Sequence, residues 1–231
     1  MPQPFPEARS RPLRDYPWFW GGFALLWLIG LSLALTFREG EEIFWFDHRR
    51  NALWDAFFLF SNRLGETPMF IGGLLLLLTY RFRSALVWPF MLFTVSLVSH
   101  YTKEWFAQPR PSLFFQQGGV MEQLHPLDGV ILNGGLTSFP SGHTMVAFCM
   151  FGFLLFNWPS RHWGWQLFFL LLATLVGLAR IYLIQHFLKD VVLGSLLGVM
   201  IAVVWYHIQW LWARRADSWW DKGLGQVLAG R

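Results

Sequence analysis

Apolar residues in this chain fall into blocks, not stripes. Six runs carry no Asp, Glu, Lys or Arg: Trp18 to Phe37, Thr67 to Tyr80, Ser84 to Thr102, Thr144 to Ser160, His162 to Ala179 and Val191 to Ala213. A helix on the surface of a soluble domain keeps a polar face, whereas these runs are apolar all round. A bilayer core of about 30 Å needs about 20 helical residues, and five of the runs are long enough. The run Thr67 to Tyr80 is short and has either to borrow upstream residues such as Leu64 and Gly65 or to tilt little. The pattern predicts an all-α polytopic membrane protein with six transmembrane helices. They form one domain over residues 18–213, flanked by tails at 1–17 and 214–231. Residues 52–64 (ALWDAFFLFSNRL) gather Leu53, Trp54, Phe57, Phe58, Phe60 and Leu64 roughly on one side of a helix. They read equally as an interfacial helix or as the start of the second span.

Composition agrees with this pattern. Of 231 residues, 55% are hydrophobic and 14% charged, against about 25% charged in a soluble domain. The first run is too long for the apolar part of a secretory signal and lacks a small-x-small site near its end, so it is expected to remain as a span. The net charge of +4 does not argue for nucleic acid, because membrane proteins collect Lys and Arg at their cytoplasmic ends. With six spans and the amino terminus inside, the inner segments hold ten such residues and the outer segments five, apart from Lys103, Arg110 and Arg180. Both tails are then cytoplasmic, the amino-terminal one with five prolines and expected to be poorly ordered. Cys149 is the sole cysteine, which excludes an intramolecular disulfide.

Three polar islands interrupt the apolar sequence, each at the edge of a run. They are Lys103-EWFAQP-Arg110-Pro111, Pro140-Ser141-Gly142-His143 and Arg180-IYLIQ-His186-FLK-Asp190. Lys103 falls in the last turn of the third span, and Pro109 turns the backbone so that Arg110 can fold back towards it. Ser141 suits an N-cap, and the exposed amides of a helix start favour an anion. Gly142 allows close approach to the backbone. His186 and Asp190, four apart, share one face if helical, so the carboxylate can hold one ring nitrogen and leave the other as a nucleophile. Cations for phosphate oxygens, one histidine to attack phosphorus and another to protonate the leaving group make a phosphoryl-transfer inventory. A metal held by His143, His186 and Asp190 is the weaker reading, because three nearby cations repel a divalent ion.

In this order the islands resemble the signature of the type 2 phosphatidic acid phosphatase superfamily, KxxxxxxRP, PSGH and SRxxxxxHxxxD. The first two blocks match fully, and the third has Ala179 in place of Ser. The resemblance covers about residues 64–213. It implies a metal-free, cofactor-free reaction through a phosphohistidine, with His186 as nucleophile, Asp190 orienting it and His143 as general acid. Lys103, Arg110, Ser141, Gly142 and Arg180 would hold the phosphate. Ala179 removes one hydroxyl, for which a tuned activity is expected.

The implied function is an integral membrane lipid-phosphate phosphatase of a bacterial inner membrane, with its site on the periplasmic side. Undecaprenyl diphosphate, phosphatidic acid, phosphatidylglycerol phosphate and lipid A phosphates are the candidate substrates. A lipid phosphotransferase with the same residues is the alternative, and a non-catalytic lipid-binding protein is a third reading. Trp105, Phe106, Phe114, Phe115, Phe139, Tyr182 and Phe187 suit an interfacial mouth through which a lipid arrives sideways from the bilayer. The small-residue pair Gly194 and Gly198 would let a neighbouring helix pack closely on the sixth span.

Overall fold

The structure, a computed structural model, describes residues 11–211 and 219–228. Among these residues there is no strand, and ten α-helices follow one another. They are α1 (Pro17–Thr36), α2 (Glu41–Asp47), α3 (Ala52–Arg63), α4 (Thr67–Tyr80), α5 (Phe82–Phe106), α6 (Pro111–Gln117), α7 (Gly142–Asn157), α8 (Trp163–Tyr182), α9 (Leu188–Leu211) and α10 (Leu224–Leu228).

Each of the six apolar runs is one of these helices. Four, α1, α5, α8 and α9, are long and apolar enough to cross a membrane. The other two, α4 and α7, have 14 and 16 residues, about 21 and 24 Å at 1.5 Å per residue. The fourth helix does not borrow upstream residues as the sequence suggested. Glu66 is extended at its N-cap and Pro68 opens its first turn, so the chain breaks between α3 and α4. Residues 52–63 are accordingly a helix of their own. Asn51 caps it, its side chain accepting from the Leu53 and Trp54 amides. Phe58 packs with Ala179, Tyr182 and Leu183 of the α8 end, while Leu53, Trp54 and Phe60 are exposed.

Helix α7 is the centre of the bundle. Nearly every side chain from Thr144 to Phe156 is buried, and its most extensive packing is against α9 and α8. Burial of apolar side chains does not drive this association in a lipid solvent that is equally apolar; close backbone approach does. Gly194 and Gly198 supply it. A Cβ at Gly194 would come within 2.7 Å of the Ser141 carbonyl oxygen, and one at Gly198 within 2.4 Å of the Met145 carbonyl. The small-residue pair therefore seats α9 directly on the start of α7.

The end of the bundle away from the three islands is closed by residues 11–16 and 219–228. Arg11 donates to the Trp158 carbonyl and, at 3.1 Å, to the Pro159 carbonyl. Tyr16 is fully buried. The described part of the amino-terminal tail is thus packed, contrary to the expectation from its prolines; residues 1–10 lie outside the described residues. Asp221 bridges to Arg83 at 2.6 Å, and the Phe82 amide donates to the Lys222 carbonyl. Arg214 and Arg215 of the expected carboxy-terminal tail also lie outside the described residues.

Candidate active site

The three islands occupy the same end of the bundle, at the C-terminus of α5, the N-terminus of α7 and the turn from α8 to α9. Two non-glycine residues there have left-handed backbone, Ala107 at φ 43° and Ile184 at φ 56°. Each follows the end of a long helix by a residue or two, where such strain serves to redirect the chain.

Lys103 is in the last turn of α5. Its ammonium lies against Gly142, where a Cβ would stand 3.6 Å from Nζ and 3.1 Å from Ser99 Oγ. A larger residue at 142 would fill the space in front of the lysine. Ser141 is the N-cap of α7; its hydroxyl oxygen accepts from the Thr144 hydroxyl at 2.9 Å and the Thr144 amide at 3.4 Å. The Ser141 amide donates to the Asp190 carbonyl at 3.0 Å, which ties the second island to the third.

His186 and Asp190 do meet, Nδ1 to Oδ2 at 3.3 Å, but not for the reason spacing suggested. Helix α9 begins at Leu188, so His186 lies in the preceding turn. Asp190 is in the first turn of α9, and its Oδ2 also accepts from the Phe187 amide at 3.0 Å and from the Ser138 hydroxyl. The carboxylate holds the turn, and the turn holds the ring. His186 is 1% exposed. Burial pushes its pKa well below the ordinary value, and the charges of Arg180, Arg110 and Lys103 act in the same direction. The ring is therefore neutral. With Nδ1 facing Asp190, its Nε2 is left for other chemistry.

The two arginines share Gln185, the residue before His186. Arg110 donates through Nη1 to the Gln185 carbonyl at 3.4 Å and through Nε to Thr137 Oγ1 at 3.1 Å. Arg180 donates through Nη2 to Gln185 Oε1 at 3.3 Å and through Nη1 to Asn62 Oδ1 at 2.6 Å. Asn133 also donates to Gln185 Oε1, and Gln185 Nε2 donates to the Ile131 carbonyl. Burial lowers the Arg110 pKa, against the opposing charge of Asp190. Among the described residues, neither arginine nor Lys103 forms an ion pair with a carboxylate.

His143 opens onto a cavity of about 330 Å³ that it shares with Arg180, Gln185, Asn133 and the α3 residues Asn62 and Arg63. Of the aromatic residues expected at a mouth, Trp105 and Phe106 are exposed, but Phe115, Tyr182 and Phe187 are 1–2% exposed. Phe187 packs edge-on to Phe114 and Phe115, and Tyr182 stacks on Phe58.

Sequence reasoning missed Ser138, Gln185, Asn62 and Asn133. Gln185 carried a signal, as a polar residue in the apolar stretch before His186. Asn62 carried none, because it reaches Arg180 across 118 positions. The segment before residue 64 also adds more than the sequence suggested. Glu42 accepts from the Leu188 amide at 2.8 Å, capping α9, and Glu39 pairs with Lys189 at 2.7 Å. Burial raises the Glu42 pKa. Among the described residues no group of three or more His, Cys, Asp or Glu side chains is arranged to hold a metal ion.

Buried cations, two histidines and a helix start thus lie together at one end of an apolar helical bundle that has the helices of an integral membrane protein. The chain belongs to the PAP2 superfamily, whose family model matches residues 84–214. It is 44% identical over 66 residues to the bacitracin transport permease protein BcrC of Bacillus licheniformis, covering 29% of this chain and 30% of that one. It is 32% identical over 88 residues to phosphatidylglycerophosphatase B of Bacillus subtilis, covering 35% and 43%. The match thus spans less than half of either relative. Among solved structures, Aquifex aeolicus LpxE superposes with a TM-score of 0.61 at 25% identity, over 74% of this chain and 97% of that one. A transmembrane PAP2-type phosphatidylglycerolphosphate phosphatase from Bacillus subtilis gives 0.61 at 24% identity, over 81% and 94%, and shares the fold.

Proposed function

We propose that this chain is an integral membrane phosphatase that removes the terminal phosphate from lipid phosphates or diphosphates through a phosphohistidine. The observation that carries this reading is the set of three partly or fully buried cations, Lys103, Arg110 and Arg180, with no ion-paired carboxylate among the described residues. A buried charge without a counter-charge is costly, and a phosphate dianion is the ligand that offsets it. In the reaction, His186 Nε2 attacks phosphorus, and the bond to the leaving oxygen breaks with its electron pair on that oxygen. His143 supplies the proton. The bound dianion provides the negative charge that lets His143 carry it. Water then attacks the phosphohistidine, the phosphorus–nitrogen pair returns to His186, and the water proton passes to His143. Asp190 orients His186, and the Ser141 hydroxyl and Gly142 amide join the cations on the phosphate oxygens. No step uses a metal, because three cations repel a divalent ion.

Lipid tails are the natural handle for such a site. If α4 and α7 both span, making six transmembrane helices, the 24 Å of α7 falls short of a core of about 30 Å. A lipid phosphate then reaches His143 with little movement out of the bilayer. The Lys and Arg asymmetry supports both termini in the cytoplasm and the site on the periplasmic face of a bacterial inner membrane. Gln117, exposed at the C-terminal end of α6, tests this. A cysteine there in a Cys149→Ala background labels in intact cells with an impermeant reagent, while one at His162 is protected; the reverse pattern overturns the orientation.

The function is tested with purified protein in mixed micelles over a panel of lipid phosphates. Phosphate release by the wild type in EDTA is expected, with none from His186→Ala and no trapped phosphoenzyme in that variant. A need for one particular metal, or turnover by His186→Ala, overturns the scheme.

A further inference from the structure

The cavity beside His143 has one charged wall that the three islands do not account for. It is formed by Asn62 and Arg63 at the end of α3 and by Glu66 at the N-cap of α4, which face the same space as His143 and Arg180. Two of these three are already engaged. Asn62 accepts from Arg180 at 2.6 Å and donates to Glu66 Oε1 at 2.7 Å. Arg63 is exposed and forms no ion pair with a carboxylate among the described residues. Its guanidinium therefore adds an uncommitted positive charge to the cavity, outside the cluster of Lys103, Arg110 and Arg180.

The position of that charge has a chemical meaning. His143 is on the leaving-group side of the proposed reaction, so a cavity that His143 opens onto receives the departing part of the substrate. At about 330 Å³ it falls within the usual range for ligand pockets, about 300–1,000 Å³. We propose that Arg63 is a specificity-determining residue that binds a second phosphoryl group on the leaving side, so that the site favours lipid diphosphates over lipid monophosphates. The inference rests on the proposed phosphatase function and names the substrate class of that same site. In the step concerned, His186 Nε2 bonds to the terminal phosphorus and the bridging phosphorus–oxygen bond breaks. The electron pair remains on the bridging oxygen of the departing lipid monophosphate. Arg63 neutralises that charge as it develops, and the His143 proton completes the product.

Arg63 has an ordinary structural role to set against this one. It lies in the last turn of α3, where a cation interacts favourably with the helix dipole. That role affects stability alike for every substrate and does not alter a substrate ratio. The test compares initial kcat/KM for a prenyl diphosphate and the prenyl monophosphate of equal chain length, in mixed micelles, for wild type, Arg63→Gln and Arg63→Lys. A charge-assisted hydrogen bond to phosphate corresponds to about 10- to 100-fold. Arg63→Gln is expected to lose that factor on the diphosphate and less than about threefold on the monophosphate, with Arg63→Lys recovering most of it. Equal losses on both esters, or no loss on either, overturn the inference while leaving the phosphatase reading intact. A wild type that releases phosphate from neither ester overturns the phosphatase reading, and this inference with it.

Discussion

The two ends of this bundle use arginine in opposite ways. At the end closed by residues 11–16 and 219–228, Arg83 is buried against Asp221 at 2.6 Å, Arg161 meets Asp15, and Arg11 donates to backbone carbonyls. At the other end Arg110 and Arg180 are equally buried, yet their partners are neutral oxygens of Thr137, Gln185 and Asn62. A neutral oxygen fixes the direction of a guanidinium without cancelling its charge. Arg83 and Arg161 are therefore compensated by carboxylates, whereas Arg110 and Arg180 keep charge that the anion proposed above would offset. Stability and function are separated by which partner each arginine is given.

Charge removal at each end gives the largest contrast. Arg180→Gln and Arg110→Gln are expected to lower kcat/KM for a lipid phosphate by about 10²–10³-fold, the scale of losing one preorganised donor to a developing charge. Their Tm should hold or rise, because an uncompensated buried charge has gone. Arg83→Ala should do the reverse. Breaking a buried pair costs about 3–5 kcal/mol, so Tm falls while the folded fraction keeps its kcat. If Arg83→Ala silences turnover in protein that is still folded, the separation between the ends is wrong.

His143→Ala comes next, with a loss of about 10²–10⁴-fold on a lipid phosphate, as for a general acid. On a nitrophenyl phosphate, whose leaving group needs no proton, the loss should be much smaller. Equal losses on the two esters assign His143 to holding phosphate instead of protonating the leaving group.

The contrast between the ends was only half legible in the sequence. Block hydrophobicity located six apolar helices, four of them long enough to cross a membrane, and the three islands placed Lys103, His143 and Arg180 at helix ends, because a charge in a greasy run has few places to go. The partners that orient the cations were not legible. Asn62 and Gln185 act through tertiary contacts that no local spacing encodes. His186 and Asp190 were paired correctly from an i,i+4 argument that does not apply, since the helix starts after His186. The chain instead bends at Ile184, and the Asp190 carboxylate, accepting the Phe187 amide, brings the ring within reach. The aromatic residues misled for a related reason. Phe115, Tyr182 and Phe187 sit near the site in sequence, yet packing turns them inwards.

Acid should weaken the open end through His186. Its folded pKa lies well below the ordinary value, which is about 6.5 in the unfolded chain. Below that pH the unfolded state binds a proton that the folded state does not, so the stability this neutral ring confers is present above about 6.5 and is lost as pH falls. One unmatched proton corresponds to about 1.4 kcal/mol per pH unit. Between pH 7 and pH 5 the wild-type Tm should therefore fall further than that of His186→Gln, which has no such proton to take up. Parallel falls in the two proteins show that His186 is not the group responsible.

The smallest effect is expected where the chain departs from the family signature. Ala179 precedes Arg180 and is fully buried, but its neighbours are Phe58, Tyr182 and Leu183, an apolar cluster between α8 and α3. Arg180 reaches the cavity from the adjacent position because neighbouring residues on a helix point about 100° apart. A serine at 179 thus adds its hydroxyl to the packing against Phe58, where the available acceptor is the Leu175 carbonyl one turn back, a bond that slightly disfavours a helix. Ala179→Ser should change kcat/KM by less than about threefold and lower stability by about 1–3 kcal/mol at most, the cost of burying a poorly satisfied hydroxyl. Thermal denaturation and lipid-phosphate turnover on the same preparation measure both. A gain of tenfold or more in kcat/KM means that the hydroxyl reaches the phosphate, and the division between an apolar α3–α8 contact and a polar site one residue further along then fails.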